Sequence, residues 1–90
     1  MTDDIQRLRE EIDEIDSSLI HLLAERMRVS REIGSEKEKS GLPALDKERW
    51  EELMTRCIEV AAAHGLTREF VIAIFDTIHK HSLKEQEKQV

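Results

Sequence analysis

The stretch IQRLREEIDEIDSSLIHLLAERMRVSREIGSEK, residues 5–37, decides the fold. Its apolar positions Ile5, Leu8, Ile12, Ile15, Leu19 and Leu22 continue through Arg26 to Val29 and Ile33. The steps alternate between three and four without a break, the spacing that keeps one seam on one side of a helix. Gly34 costs about 1 kcal/mol against Ala but stands among good helix formers, so the spacing predicts a helix from about Asp4 to Lys39. With a rise of about 1.5 Å per residue it is roughly 50 Å long. A compact chain of 90 residues would be only about 30 Å across. The helix therefore protrudes from its own domain, its seam needs a second chain, and dimerisation is the expected consequence.

Downstream, the strong breakers are Gly41-Leu42-Pro43 and His64-Gly65, which leave two shorter helical segments. The second helix is expected to start on Asp46 as N-cap and to end at Gly65 as a left-handed cap. Trp50, Leu53, Met54, Cys57, Ile58 and Ala61 form its apolar stripe, with Trp50 and Cys57 expected in the core. The third starts on Thr67 as N-cap and runs to about Gln86, with Val71, Ile74, Phe75 and Ile78 as its stripe. Fraying is expected from Lys84 to Val90. Residues 1–90 are read as one all-α domain of three helices.

Composition narrows the function. Charged residues are 38% of the chain against 3% aromatic, and three Gly with one Pro are too few turn formers for a many-stranded sheet. A single cysteine rules out an internal disulfide framework and suits a reducing, cytoplasmic compartment. No apolar run is long enough to span a membrane, and the acidic start (Thr2, Asp3, Asp4) is unlike a signal peptide. A net charge of −6 speaks against nucleic acid or an anionic membrane as partner. The four histidines include no i, i+4 pair and have no cysteine partners, so no metal is expected.

The informative residues are polar ones where the periodicity asks for apolar ones. Arg26 sits in the seam, and Lys37 follows Ile33 by four on the same stripe. About three turns, roughly 16 Å, separate the two cations, which point the same way. Ser82 and Gln86 repeat the pattern at i, i+4 on the third helix, and Arg49 adds a cation near the Gly41–Leu45 hinge. No carboxylate lies on those stripes to neutralise them. An uncompensated buried charge costs several kcal/mol, so the missing counter-charge points to a small anionic ligand, a dicarboxylate held by Arg forks. Taken singly, Arg26 also reads as a register device and Lys37 as a solvated lysine. Arg9 precedes Arg26 by about 25 Å along the helix and cannot share its pocket within one chain. In an antiparallel dimer it reaches the partner's pocket; otherwise it is a surface residue paired with Asp13.

These residues resemble the all-helical chorismate mutases of the intertwined dimeric class. The likeness runs from about Ile5 to Gln86 through Leu8-Arg9-Glu10-Glu11-Ile12-Asp13, Leu23-Ala24-Glu25-Arg26, Ile33-Gly34 with Lys37, Asp46-Lys47-Glu48-Arg49, and Ser82 with Gln86. The resemblance implies an intertwined antiparallel homodimer with composite sites and the cofactor-free Claisen rearrangement of chorismate to prephenate, on the way to phenylalanine and tyrosine. It further implies that Arg26 and the partner's Arg9 bind substrate carboxylates, supported by Arg49 and Ser82. Lys37 and Gln86 would donate to the ether oxygen, and main-chain groups near Ile33 and Asp46 would line the site and help position the ring hydroxyl. Docking on another enzyme of the same pathway stays open. Trp50 departs from the pattern: that position is commonly Glu, which would bind the ring hydroxyl, whereas an indole can only donate. Two alternatives remain, an isochorismate–pyruvate lyase of the same fold and a non-enzymatic helical dimerisation module.

Overall fold

The computed structural model describes residues 2–88. It is all-α: α1 spans Thr2–Ser40, α2 Lys47–Ala63 and α3 Arg68–Glu87. Each boundary has a local cause. The Asp46 carboxylate accepts from the Arg49 N–H at 3.0 Å, and the Thr67 hydroxyl accepts from the Phe70 N–H at 3.3 Å. Both satisfy donors that a helix start leaves without partners, as the sequence predicts.

The ends of α1 and α2 are closed alike. Gly41 (φ +70°) and Gly65 (φ +76°) take the left-handed conformation that glycine adopts without penalty. The Leu42 N–H then donates to the Lys37 carbonyl at 2.8 Å, and the Leu66 N–H to the Ala61 carbonyl at 2.9 Å. These are paired Schellman closures. In α2 the cap is His64, with Gly65 just beyond it.

The third helix corrects one expectation. Lys84–Glu87 are helical and complete α3; Gln89 and Val90 of the predicted frayed tail lie outside the described residues. Two contacts hold this last turn. The Glu85 carboxylate accepts from Arg31 of α1 at 3.2 Å, and the Gln86 backbone lies directly over Gly34.

Helix α3 packs on both α1 and α2 and so joins them. The chain measures 59 × 24 × 15 Å with a radius of gyration of 16.7 Å. A compact chain of this length has a radius of gyration of about 12 Å. Every residue from Asp3 to Glu25 is exposed, including Ile5 at 52%, Ile15 at 59% and Leu22 at 66%. Buried apolar side chains amount to Ala61 and Val71 among the described residues. One chain therefore holds almost no core, and its largest apolar surface runs along α1.

Candidate active site

Where α1, α3 and the start of α2 meet, they enclose a cavity of about 290 Å³. Its walls include Arg26 and Lys37 from α1, Asp46, Arg49 and Trp50 from the start of α2, and His79, Ser82 and Gln86 from α3. Six residues that the sequence singles out, Arg26, Lys37, Asp46, Arg49, Ser82 and Gln86, thus line one space. Arg9 does not: it lies on the exposed part of α1, without an ion pair to Asp13 among the described residues.

Small residues make the site possible. Ser30 and Gly34 are the buried positions of α1 among the described residues, and they let α3 come close. A Cβ on Gly34 would lie 2.5 Å from the Gln86 carbonyl oxygen and 2.7 Å from its Cα. The residue that periodicity scores as a helix weakness is thus the one that admits Gln86 to the site.

The hydrogen bonds set each polar group in place. Arg26 donates through Nη1 to the Ser82 hydroxyl, which lies within 3.9 Å of the Met27 sulfur. Lys37 Nζ donates to the Ala44 carbonyl at 2.6 Å and to Gln86 Oε1 at 3.0 Å. The Gln86 oxygen is occupied, so its amide N–H groups are what it offers a ligand. Lys37 and Gln86 thereby form one donor unit, held to the hinge by the Ala44 carbonyl.

Charge in the cavity is unbalanced. Arg26 and Lys37 bond only to neutral groups, and neither has an ion-pair partner among the described residues. Arg49 reaches Glu52 only at 3.9 Å, on the exposed side of α2. Burial pushes Arg26 below the ordinary arginine value; Cys57 opposes that shift and Arg49 adds to it. These cations fit a small anion with more than one carboxylate, bound by charge-assisted hydrogen bonds. A hollow on the outer face of α2 is mainly acidic, lined by Glu48, Glu51, Glu52 and Glu59 with Thr55 and Arg56.

Two side chains differ from their expected places. Trp50 is half-buried at the cavity wall and not in a core, and Cys57 is likewise only half-buried. Trp50 stacks on His79, with ring centroids 4.0 Å apart and planes 18° from parallel. Sequence reasoning assigned His79 no place in the site. The signal was present, because His79 precedes Ser82 by three and Gln86 by seven, which puts all three on one face of α3. Burial and Arg26 push the His79 pKa below the usual histidine value, Asp76 opposes this, and Lys37 lowers it further.

Comparison with known proteins places the chain among relatives of one family. Residues 8–87 match the family model of chorismate mutase type II. The bifunctional chorismate mutase/prephenate dehydratase of Escherichia coli is 35% identical over 80 residues, 89% of this chain, which spans only 21% of that longer protein. The chorismate mutase of Methanocaldococcus jannaschii is 29% identical across 99% of this chain and 89% of its own length. The 4-amino-4-deoxychorismate mutase of Streptomyces venezuelae is 31% identical over 83% of this chain and 73% of its own.

Proposed function

The chain belongs to the chorismate mutase type II family, and from that premise we propose that it rearranges chorismate to prephenate. One observation carries the reading: two cations without ion-pair partners among the described residues, a Ser and a Gln amide line a single cavity of ligand size.

The reaction has one substrate, no leaving group and no proton transfer, so it needs neither a general base nor a nucleophile. The ether C–O bond breaks as a new C–C bond forms between the enolpyruvyl arm and the ring. Arg26, supported by Ser82 and Arg49, holds a carboxylate so that the arm lies over the ring in reactive geometry. Lys37 Nζ and the Gln86 amide point donors at the ether oxygen. Negative charge grows on that oxygen only as the bond breaks, so this pair stabilises the transition state more than the bound substrate. Asp46 is the N-cap that anchors the start of α2, and it lines the site beside Arg49.

The assembly we propose is an intertwined antiparallel homodimer of single-domain chains. Its support is the bare apolar seam from Ile5 to Leu22, together with a cavity that the chain's own Arg9 cannot reach. In that dimer the partner's Arg9 binds the second carboxylate. The described helices include none long and apolar enough to cross a membrane, in keeping with the cytoplasmic site of action proposed here.

The test is turnover of chorismate by the purified protein, with its mass measured in solution. Prephenate from a dimer is expected. With isochorismate supplied separately, salicylate plus pyruvate would instead mark a lyase, and a stable dimer that turns over neither compound would mark a dimerisation module.

A further inference from the structure

Resting on the mutase reading above, we propose that His79, clamped against Trp50, is the specificity residue that accepts a hydrogen bond from the hydroxyl on the substrate ring. Most of the cavity's other polar groups already have a partner or a role. Arg26 and Arg49 suit carboxylates, Lys37 and the Gln86 amide suit the ether oxygen, and Ser82 is taken by Arg26. A ring hydroxyl still needs an acceptor. Trp50 cannot serve, since an indole only donates.

His79 has the position and the chemistry. It lies three residues before Ser82 and seven before Gln86 on the same face of α3, and its side chain lines the cavity. The Trp50 stack covers one face of the imidazole and fixes its plane. Neither ring nitrogen has a hydrogen-bond partner among the described residues. The surrounding charges decide its protonation. Arg26 and Lys37 face it from α1, Arg49 and Asp46 line the same cavity at the start of α2, and Asp76 stands nearby on α3 itself. A protonated imidazole would be another cation among three, so His79 stays neutral near pH 7 and keeps one acceptor nitrogen. The same cations repel an ammonium, so an uncharged hydroxyl is preferred over a protonated amine at this position. Asp46, the carboxylate among the residues that line the cavity, receives the Arg49 N–H through Oδ1 in its role as N-cap of α2.

The experiment compares kcat/KM for chorismate across pH in the wild type, His79→Leu and His79→Gln. His79→Leu removes the acceptor and is expected to lower kcat/KM about tenfold near pH 7. His79→Gln carries an acceptor at similar reach and is expected to recover most of that loss. The wild type should lose activity as pH falls below the usual histidine range of about 6.5, where the imidazole protonates, and both variants should lack this acid limb. Variants that keep wild-type kcat/KM, or that lose it equally while retaining the limb, overturn the assignment and leave the mutase reading standing. A wild type that turns over no chorismate at all overturns both.

Discussion

The two halves of α1 have one repeat and two fates. From Ile5 to Leu22 the seam is apolar and wholly exposed in the single chain. From Arg26 to Lys37 the same spacing carries charged and small residues, and α3 packs closely onto it. Identical periodicity thus has two meanings. On the function and assembly proposed above, another helix covers the hydrocarbon seam and an anion fills the cationic one. Substitutions in the first half should remove assembly, and substitutions in the second should remove turnover.

The largest effect is expected from Ile15→Asp. It puts a charge into the apolar seam, and in a two-fold dimer it does so twice, a loss of about 5 kcal/mol or more per dimer. That is comparable to the whole stability of a small domain. Sedimentation should show monomer, and circular dichroism should show much reduced helix at micromolar concentration. A variant that stays dimeric and helical would remove the seam from the interface.

Next comes Lys37→Ala. Loss of a preorganised donor to the breaking bond should lower kcat by about 10²–10³, while Tm moves by only a few degrees. Small and equal losses in both would exclude Lys37 from the reaction. Arg26→Met separates the readings further. If the seam is the whole function, this change stabilises the dimer at no cost, since a buried charge often exchanges favourably for an apolar group. If the seam lines a binding site, turnover is lost.

Gly34→Ala tests the close approach of α1 and α3. Alanine gains about 1 kcal/mol in helix propensity. Its Cβ would nevertheless meet the Gln86 backbone at 2.5–2.7 Å, a position only movement of α3 can relieve. Overpacking of this kind costs about 1–3 kcal/mol, so a net loss of stability is expected, with turnover falling further as Gln86 moves away from Lys37. A stabilised and fully active variant would show that the helices do not need this contact.

The smallest effect concerns the tie at the end of α3. Lys88 and Arg31 hold the Glu85 carboxyl below the usual carboxylate range. Its contribution is therefore present above the unfolded value of about 4.3 and is lost as pH falls through the lower, folded one. Acid unfolding of Glu85→Gln should lack this part of the pH dependence. An identical acid midpoint would make the pair a surface contact without effect.

Much of this architecture is legible because it depends on local rules. The unbroken three–four spacing gives α1, and Asp46, Thr67, Gly41 and Gly65 mark ends through hydrogen bonds made within a few residues. Arg26, Lys37, Ser82 and Gln86 are visible as polar residues where hydrocarbon is expected. What escapes depends on contacts between distant segments. Trp50 looks like core from its stripe and becomes cavity wall only because His79, on another helix, stacks against it. Gly34 looks like a weakness until the Gln86 backbone is seen above it. The last turn of α3 reads as a frayed charged tail, yet Arg31 and Gly34 of α1 hold it in place.

The most direct measurement is complementation between two inactive variants, Arg9→Ala and Lys37→Ala, co-expressed as mixed dimers. If each site takes Arg9 from one chain and Lys37 from the other, a mixed dimer contains one site with both changes and one intact site. Random pairing should then restore about a quarter of wild-type turnover, although each variant alone is nearly inactive. Activity of the mixture no greater than that of the separate variants would show that the two residues act within one chain, and would contradict a site shared between two copies.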